Sequence, residues 1–173
     1  PTRDGYNFAG YWTEHMNNGE CQGTKIVNAN GTLNTSVTNV LSATYFDNEN
    51  GSTIYACWDS LSYNISYDWN GGNHDTCSDN GNPAVCPSVA TFGNPAFRVP
   101  VPTHDHGTFK GWIITGMDTA VTHEYGPTAA LGNSTTGNSL DLTQTTNGTS
   151  MQYFKDLRGT AGRVPFTANW ECA

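Results

Sequence analysis

The chain has 173 residues and a formal net charge of −8, from 15 acidic against 7 basic side chains. So few cations leave no basic face to neutralise phosphates or approach an anionic lipid surface, which excludes nucleic acid as a partner. No stretch approaches the roughly 18 consecutive apolar residues of a membrane span, and the length suits one domain with a full core, so residues 1–173 read as a single unit.

Composition favours strands and turns over helices. Gly numbers 19, Pro 8 and aromatics 12%, while Leu, Lys, Glu and Arg are scarce. The opening strand starts with Phe8-x-Gly10-x-Trp12-x-Glu14. GTKIVNA follows, then Asn30-Gly31 as a hairpin signal and TLNTSVTNV, with Leu33 and Val37 among polar residues. TYFD and STIYACW flank the turn NENG. LSYNISYDW then alternates apolar Leu61, Tyr63, Ile65, Tyr67 and Trp69 with Ser62, Asn64, Ser66 and Asp68, a strand with one buried aromatic face. From Gly71 to Pro102 the chain is rich in loop residues. HGTFKGWIITGMDTAVTHEY reads as two strands around a turn at Gly116 to Asp118. A short helix is expected at SMQYFKDLR: Thr149 or Ser150 caps it, Met151, Phe154 and Leu157 form its apolar stripe, and Gly159 ends it. RVPFTANWEC closes the chain as a short strand.

Five cysteines without CxxC or Cys/His zinc spacing point to an oxidising compartment. Cys77 and Cys86 flank the turn-rich SDNGNPAV and are the expected pair. Cys21 with Cys172 would then close a loop of about 150 residues, stabilising by about 4–5 kcal/mol in the chain-entropy model, and Cys57 remains as a buried thiol beside Trp58. Sequons at Asn30, Asn34, Asn50, Asn64, Asn133 and Asn147 each sit in a polar, turn-like context suited to a glycan. The expectation is a secreted glycoprotein. PTRDG at the start has no signal-peptide core, so any signal is taken as already removed.

Phe8-x-Gly10-x-Trp12-x-Glu14, following the turn-like DGYN, resembles the first motif of the lipocalins, up-and-down barrels of the calycin group. Trp112-Ile113-Ile114-Thr115, a turn carrying Asp118, and Tyr125 resemble the second, with two extra residues before Asp118. The resemblance implies an antiparallel barrel, with Trp12 plugging its narrow end, Gly10 allowing close backbone approach, and a late helix. A β-sandwich or jelly roll is the alternative architecture for the same all-β pattern.

The candidate chemistry lies in three histidines. His104-x-His106 places two imidazoles on one strand face, and His123 on a neighbouring strand would complete a three-ligand divalent metal site; without metal, the same side chains would act as general acid and base. Asp105, Asp118 or Glu124 would orient one of them. Glu14 and Glu124 lie on expected strands, but nothing in the pattern makes them face each other as a glycosidase pair. The leading expectation is a small apolar or aromatic ligand in a cavity lined by Tyr63, Tyr67, Trp69 and Trp112, with isomerisation or cyclisation by positioning as the reaction such a barrel would support. No cofactor is required by that reading. A metalloenzyme on a jelly roll and a glycan-binding or adhesion module are the alternatives.

Overall fold

The computed structural model describes residues 1–36, 53–73, 77 and 83–173. The fold is all-β, with twelve strands among the described residues and two single-turn 3-10 segments, Leu142–Gln144 and Gly148–Ser150. The chain, read from sequence as one unit, divides into two compact ones, Pro1–Ser60 and Leu61–Ala173. The expected TYFD strand, the NENG turn and Asn50 lie outside the described residues.

The first unit is a three-stranded antiparallel sheet in the order β2-β1-β3, built from β1 (Tyr6–Asn17), β2 (Glu20–Val27) and β3 (Tyr55–Ser60). A two-residue Asn18-Gly19 turn joins β1 to β2. Gly10 sits at a register shift with φ +108, and a Cβ there would strike the carbonyl oxygen of Val27, so the close backbone approach expected at this position is met between β1 and β2. Cys21 bonds to Cys57, linking the strands on either side of β1.

In the second unit a five-stranded sheet has the order β10-β7-β12-β4-β5 and a four-stranded sheet the order β6-β11-β8-β9. The first comprises β4 (Ser62–Asp68), β5 (Val89–Thr91), β7 (Gly107–Ile114), β10 (Leu140–Asp141) and β12 (Arg163–Cys172). The second comprises β6 (Phe97–Arg98), β8 (His123–Gly126), β9 (Asn133–Thr135) and β11 (Tyr153–Lys155). The closing segment, expected as a short strand, is the central strand of the larger sheet, parallel to β4 and antiparallel to β7.

Both sheets contribute to one core, in which Tyr63, Ile65, Trp112, Val164 and Phe166 of the larger sheet meet Phe97 and Phe154 of the smaller. Phe154 and Phe166 stack edge to face at 5.0 Å, and Trp112 lies 5.7 Å from Phe166. The core is filled, and no sheet closes on itself among the described residues; the barrel expected from the lipocalin resemblance is not the architecture observed.

The expected C-terminal helix is absent. Met151, Phe154 and Leu157 are all buried, as the stripe requires, but Tyr153–Lys155 is a strand whose neighbours are Arg98, Phe97, Gly126, Tyr125 and Glu124. Asp156, at φ +57, then turns the chain so that Leu157 re-enters the core. The cysteine pairing differs in the same way. Cys77 bonds to Cys86 as expected, but Cys21 takes Cys57, leaving Cys172 as the free and exposed thiol. Strand pairing decides this, because it brings Cys21 and Cys57 to a Cα separation of 5.6 Å within the first unit.

Candidate functional site

One cavity, of about 120 Å³ and open to solvent, lies in the second unit where β5, the Phe92 to Pro95 turn and the end of β11 converge. Its lining combines apolar Pro87, Val89, Pro95 and Phe97 with polar Asn94, Lys155 and Asp156. Sequence folds locally to build it. The Cys77–Cys86 bond closes the loop carrying Ala84, and the N–H of Cys86 donates to the carbonyl of Arg98 at 2.7 Å while the N–H of Arg98 returns to Ala84 at 2.8 Å. The Tyr67 hydroxyl, from β4, holds the carbonyl of Pro87 at 2.7 Å.

Asp156 is the organising residue. It is 9% exposed, and its φ of +57 is a conformation that Asp tolerates better than most residues. Its Oδ1 accepts from the N–H of Gly93 at 2.7 Å, its Oδ2 from Lys155 Nζ at 2.9 Å, and its carbonyl oxygen lies 2.7 Å from Nδ1 of His123. Lys155 is also 3.5 Å from Glu124. Burial works against the Lys155 ammonium, but the hydrogen bond and charge of Asp156, with the charge of Glu124, outweigh it and hold the group above its ordinary range. Behind the turn, the N–H of Leu157 donates to the Tyr63 hydroxyl at 3.2 Å; burial pushes that phenol well above its usual range and keeps it un-ionised.

The residues expected to form a ligand cavity are elsewhere. Tyr63 and Trp112, 2% and 0% exposed, belong to the core filling, and Tyr67 and Trp69 pack partly buried against it. The three histidines do not assemble. His104 Nδ1 accepts from the N–H of His106 at 2.9 Å, and the His104 ring lies 5.0 Å from Trp170. His123 is fully buried with its two ring nitrogens against the carbonyls of Asp156 and Gly137, leaving neither to ligate a metal or relay a proton. Among the described residues no three His, Cys, Asp or Glu side chains gather as a metal site.

The carboxylates considered as orienting groups also have other partners. Asp118 accepts from the N–H of Ala120 at 2.8 Å and the hydroxyl of Thr160 at 3.0 Å, and the first of these contributes most to holding it below the usual carboxylate range. Asp105 and Glu14 are exposed, Trp12 is half-buried in the open sheet of the first unit, and Glu124 pairs with Lys155. Of the sequons, Asn30, Asn64, Asn133 and Asn147 are exposed and Asn34 is half-buried.

Sequence reasoning missed Asn94, Lys155 and Asp156. Gly93-Asn94-Pro95 was visible as turn chemistry, but Lys155 and Asp156 fit the polar side of an amphipathic helix equally well. The cleft lining combines apolar side chains with a carboxylate, an ammonium and an exposed amide, which suits a small ring with one apolar face and several hydroxyls. No family model, curated protein or solved structure matches this chain.

Proposed function

We propose that the protein is a secreted, N-glycosylated β-sandwich module that binds carbohydrate, with one sugar ring seated in the cleft. The observation that carries this reading is Asp156, a nearly buried carboxylate held in a left-handed conformation in a cavity also lined by proline, valine and phenylalanine. Ring hydroxyls would donate to the remaining lone pairs of that carboxylate and bond the Asn94 amide, while the apolar face of the ring lies against Pro87 and Pro95. Two disulfides, four exposed sequons and the lack of any helix long and apolar enough to cross a membrane among the described residues support the extracellular setting.

The ligand is neutral or amine-bearing rather than acidic. Among the described residues the one ammonium lining the cleft is neutralised by Asp156 and Glu124, and the whole chain carries a net charge of −8. An acidic sugar therefore finds no unpaired cation and an opposing field. A glycan array spanning neutral, amino and acidic sugars tests this, followed by calorimetry on the hits. Binding should be confined to the first two classes, and Asp156→Ala should weaken it by at least about tenfold, the scale of one lost charge-assisted hydrogen bond. Silence across the array, or an Asp156→Ala protein that binds like the native one, overturns the reading. An apolar ligand in an aromatic hollow is the less favoured reading, because core rings fill that space.

A further inference from the structure

We propose that His123 is the positioning residue of the cleft: from the interior it fixes the carbonyl of Asp156, and through that carbonyl the direction of the carboxylate offered to ligand. The inference rests on the reading of the cleft as the binding site. His123 is on β8, the strand paired with β11, so its ring reaches the turn that follows Lys155. It is 0% exposed, with Nδ1 2.7 Å from the carbonyl oxygen of Asp156 and Nε2 3.0 Å from that of Gly137. A ring nitrogen facing a carbonyl bonds only if it carries the proton, so the proposal requires a proton on Nδ1.

The consequence falls on Asp156 because its backbone is the strained one. At φ +57 the residue persists only while its surroundings hold it. One hold is the imidazole on the carbonyl, and another is the Gly93 N–H on Oδ1. Releasing the first lets the turn relax toward ordinary φ, which swings the carboxylate off Gly93 and out of register with Asn94 and the apolar lining. His123 thus touches no ligand and acts wholly through Asp156.

The Gly93 amide reports this without any ligand, since its exchange with solvent requires loss of the bond to Asp156. In His123→Asn the side-chain amide nitrogen takes the place of Nδ1, and in His123→Gln that of Nε2. Hydrogen exchange should leave Gly93 as protected in the Asn variant as in the native protein and at least about tenfold faster in the Gln variant, with β12 amides unchanged in both. Titration with glucosamine and methyl glucoside should follow the same order. Equal Gly93 protection in the two variants overturns the proposal. Should either variant fail to fold, the ring nitrogen spectrum of the native protein decides: a proton on Nδ1 is expected, and its absence there overturns the proposal. If the native protein bound neither sugar while Gly93 still responded to Gln and not to Asn, the carbohydrate reading would fall and the positioning of Asp156 by His123 would stand.

Discussion

Lys155 and Asp156 are neighbours in sequence whose environments differ. Asp156 is nearly buried, and a buried carboxylate is tolerated only when its oxygens are bonded and its charge is met. Lys155 meets the charge while its own side chain remains 25% exposed, so the pair behaves as a partly solvated one rather than a sealed ion pair. Because the folded state raises the lysine above its ordinary value, the contribution is complete below about pH 10.4, the unfolded lysine value, and is lost as pH climbs through the folded value. Urea unfolding between neutral and strongly alkaline pH should show the native midpoint falling over that window and the Lys155→Met midpoint falling less. At neutral pH the same variant should be less stable by about 1–2 kcal/mol, since Asp156 keeps the Gly93 bond but loses its cation. A Lys155→Met protein as stable as the native one would mean that solvent already screens the pair.

At the level of elements, the difference between what sequence shows and what it hides lies in how many structures satisfy one pattern. Alternation from Leu61 to Trp69 fits only a strand, and β4 accordingly buries Tyr63 and Ile65 and exposes Asn64. Met151, Phe154 and Leu157 at spacings of three fit a helix, but a three-residue strand followed by a left-handed residue buries the same positions, and β6 and β8 supply its backbone partners. Phe109 and Trp112 show the same ambiguity on β7, where an odd spacing still faces both rings inward. A register shift opposite Asn169 and Trp170 leaves Lys110 as the extra residue, and Gly111 beside it, paired with Asn169, takes φ +125. A Cβ at Gly111 would lie 2.8 Å from the carbonyl oxygen of Leu142. Gly111→Ala should therefore cost at least the roughly 1–3 kcal/mol of a side chain forced into that backbone region. Denaturant unfolding monitored by tryptophan fluorescence reads this directly, and an unchanged midpoint would mean that the bulge shifts its register at no cost.

For the whole molecule, the disulfides fall one to each unit, and the units depend on them unequally. The first unit spans 60 residues, and Ile26 and Cys57 are its buried apolar residues among those described, whereas the second holds the Trp112, Phe154 and Phe166 core. A unit of that size is marginal on burial alone. Cys21 and Cys57 are 36 residues apart and Cys77 and Cys86 are 9 apart. On the chain-entropy relation these loops correspond to about 3–4 and 2–3 kcal/mol respectively. The Cys77–Cys86 pair is legible in the turn-rich stretch between them, but cysteine spacing says nothing of strand register, and the pairing of Cys21 follows only once β2 and β3 are known to flank β1. Before reduction a single thiol, Cys172, should be alkylated, and after reduction all five cysteines should react. Under mild reduction hydrogen exchange should accelerate first across β1, β2 and β3, while amides of β7 and β12 stay protected because the buried core around Trp112 and Phe166, rather than the short Cys77–Cys86 loop, holds them. Simultaneous loss in both units would instead mean that the first unit is stabilised by something other than its own cross-link, and the division at Ser60 would not be a division in stability.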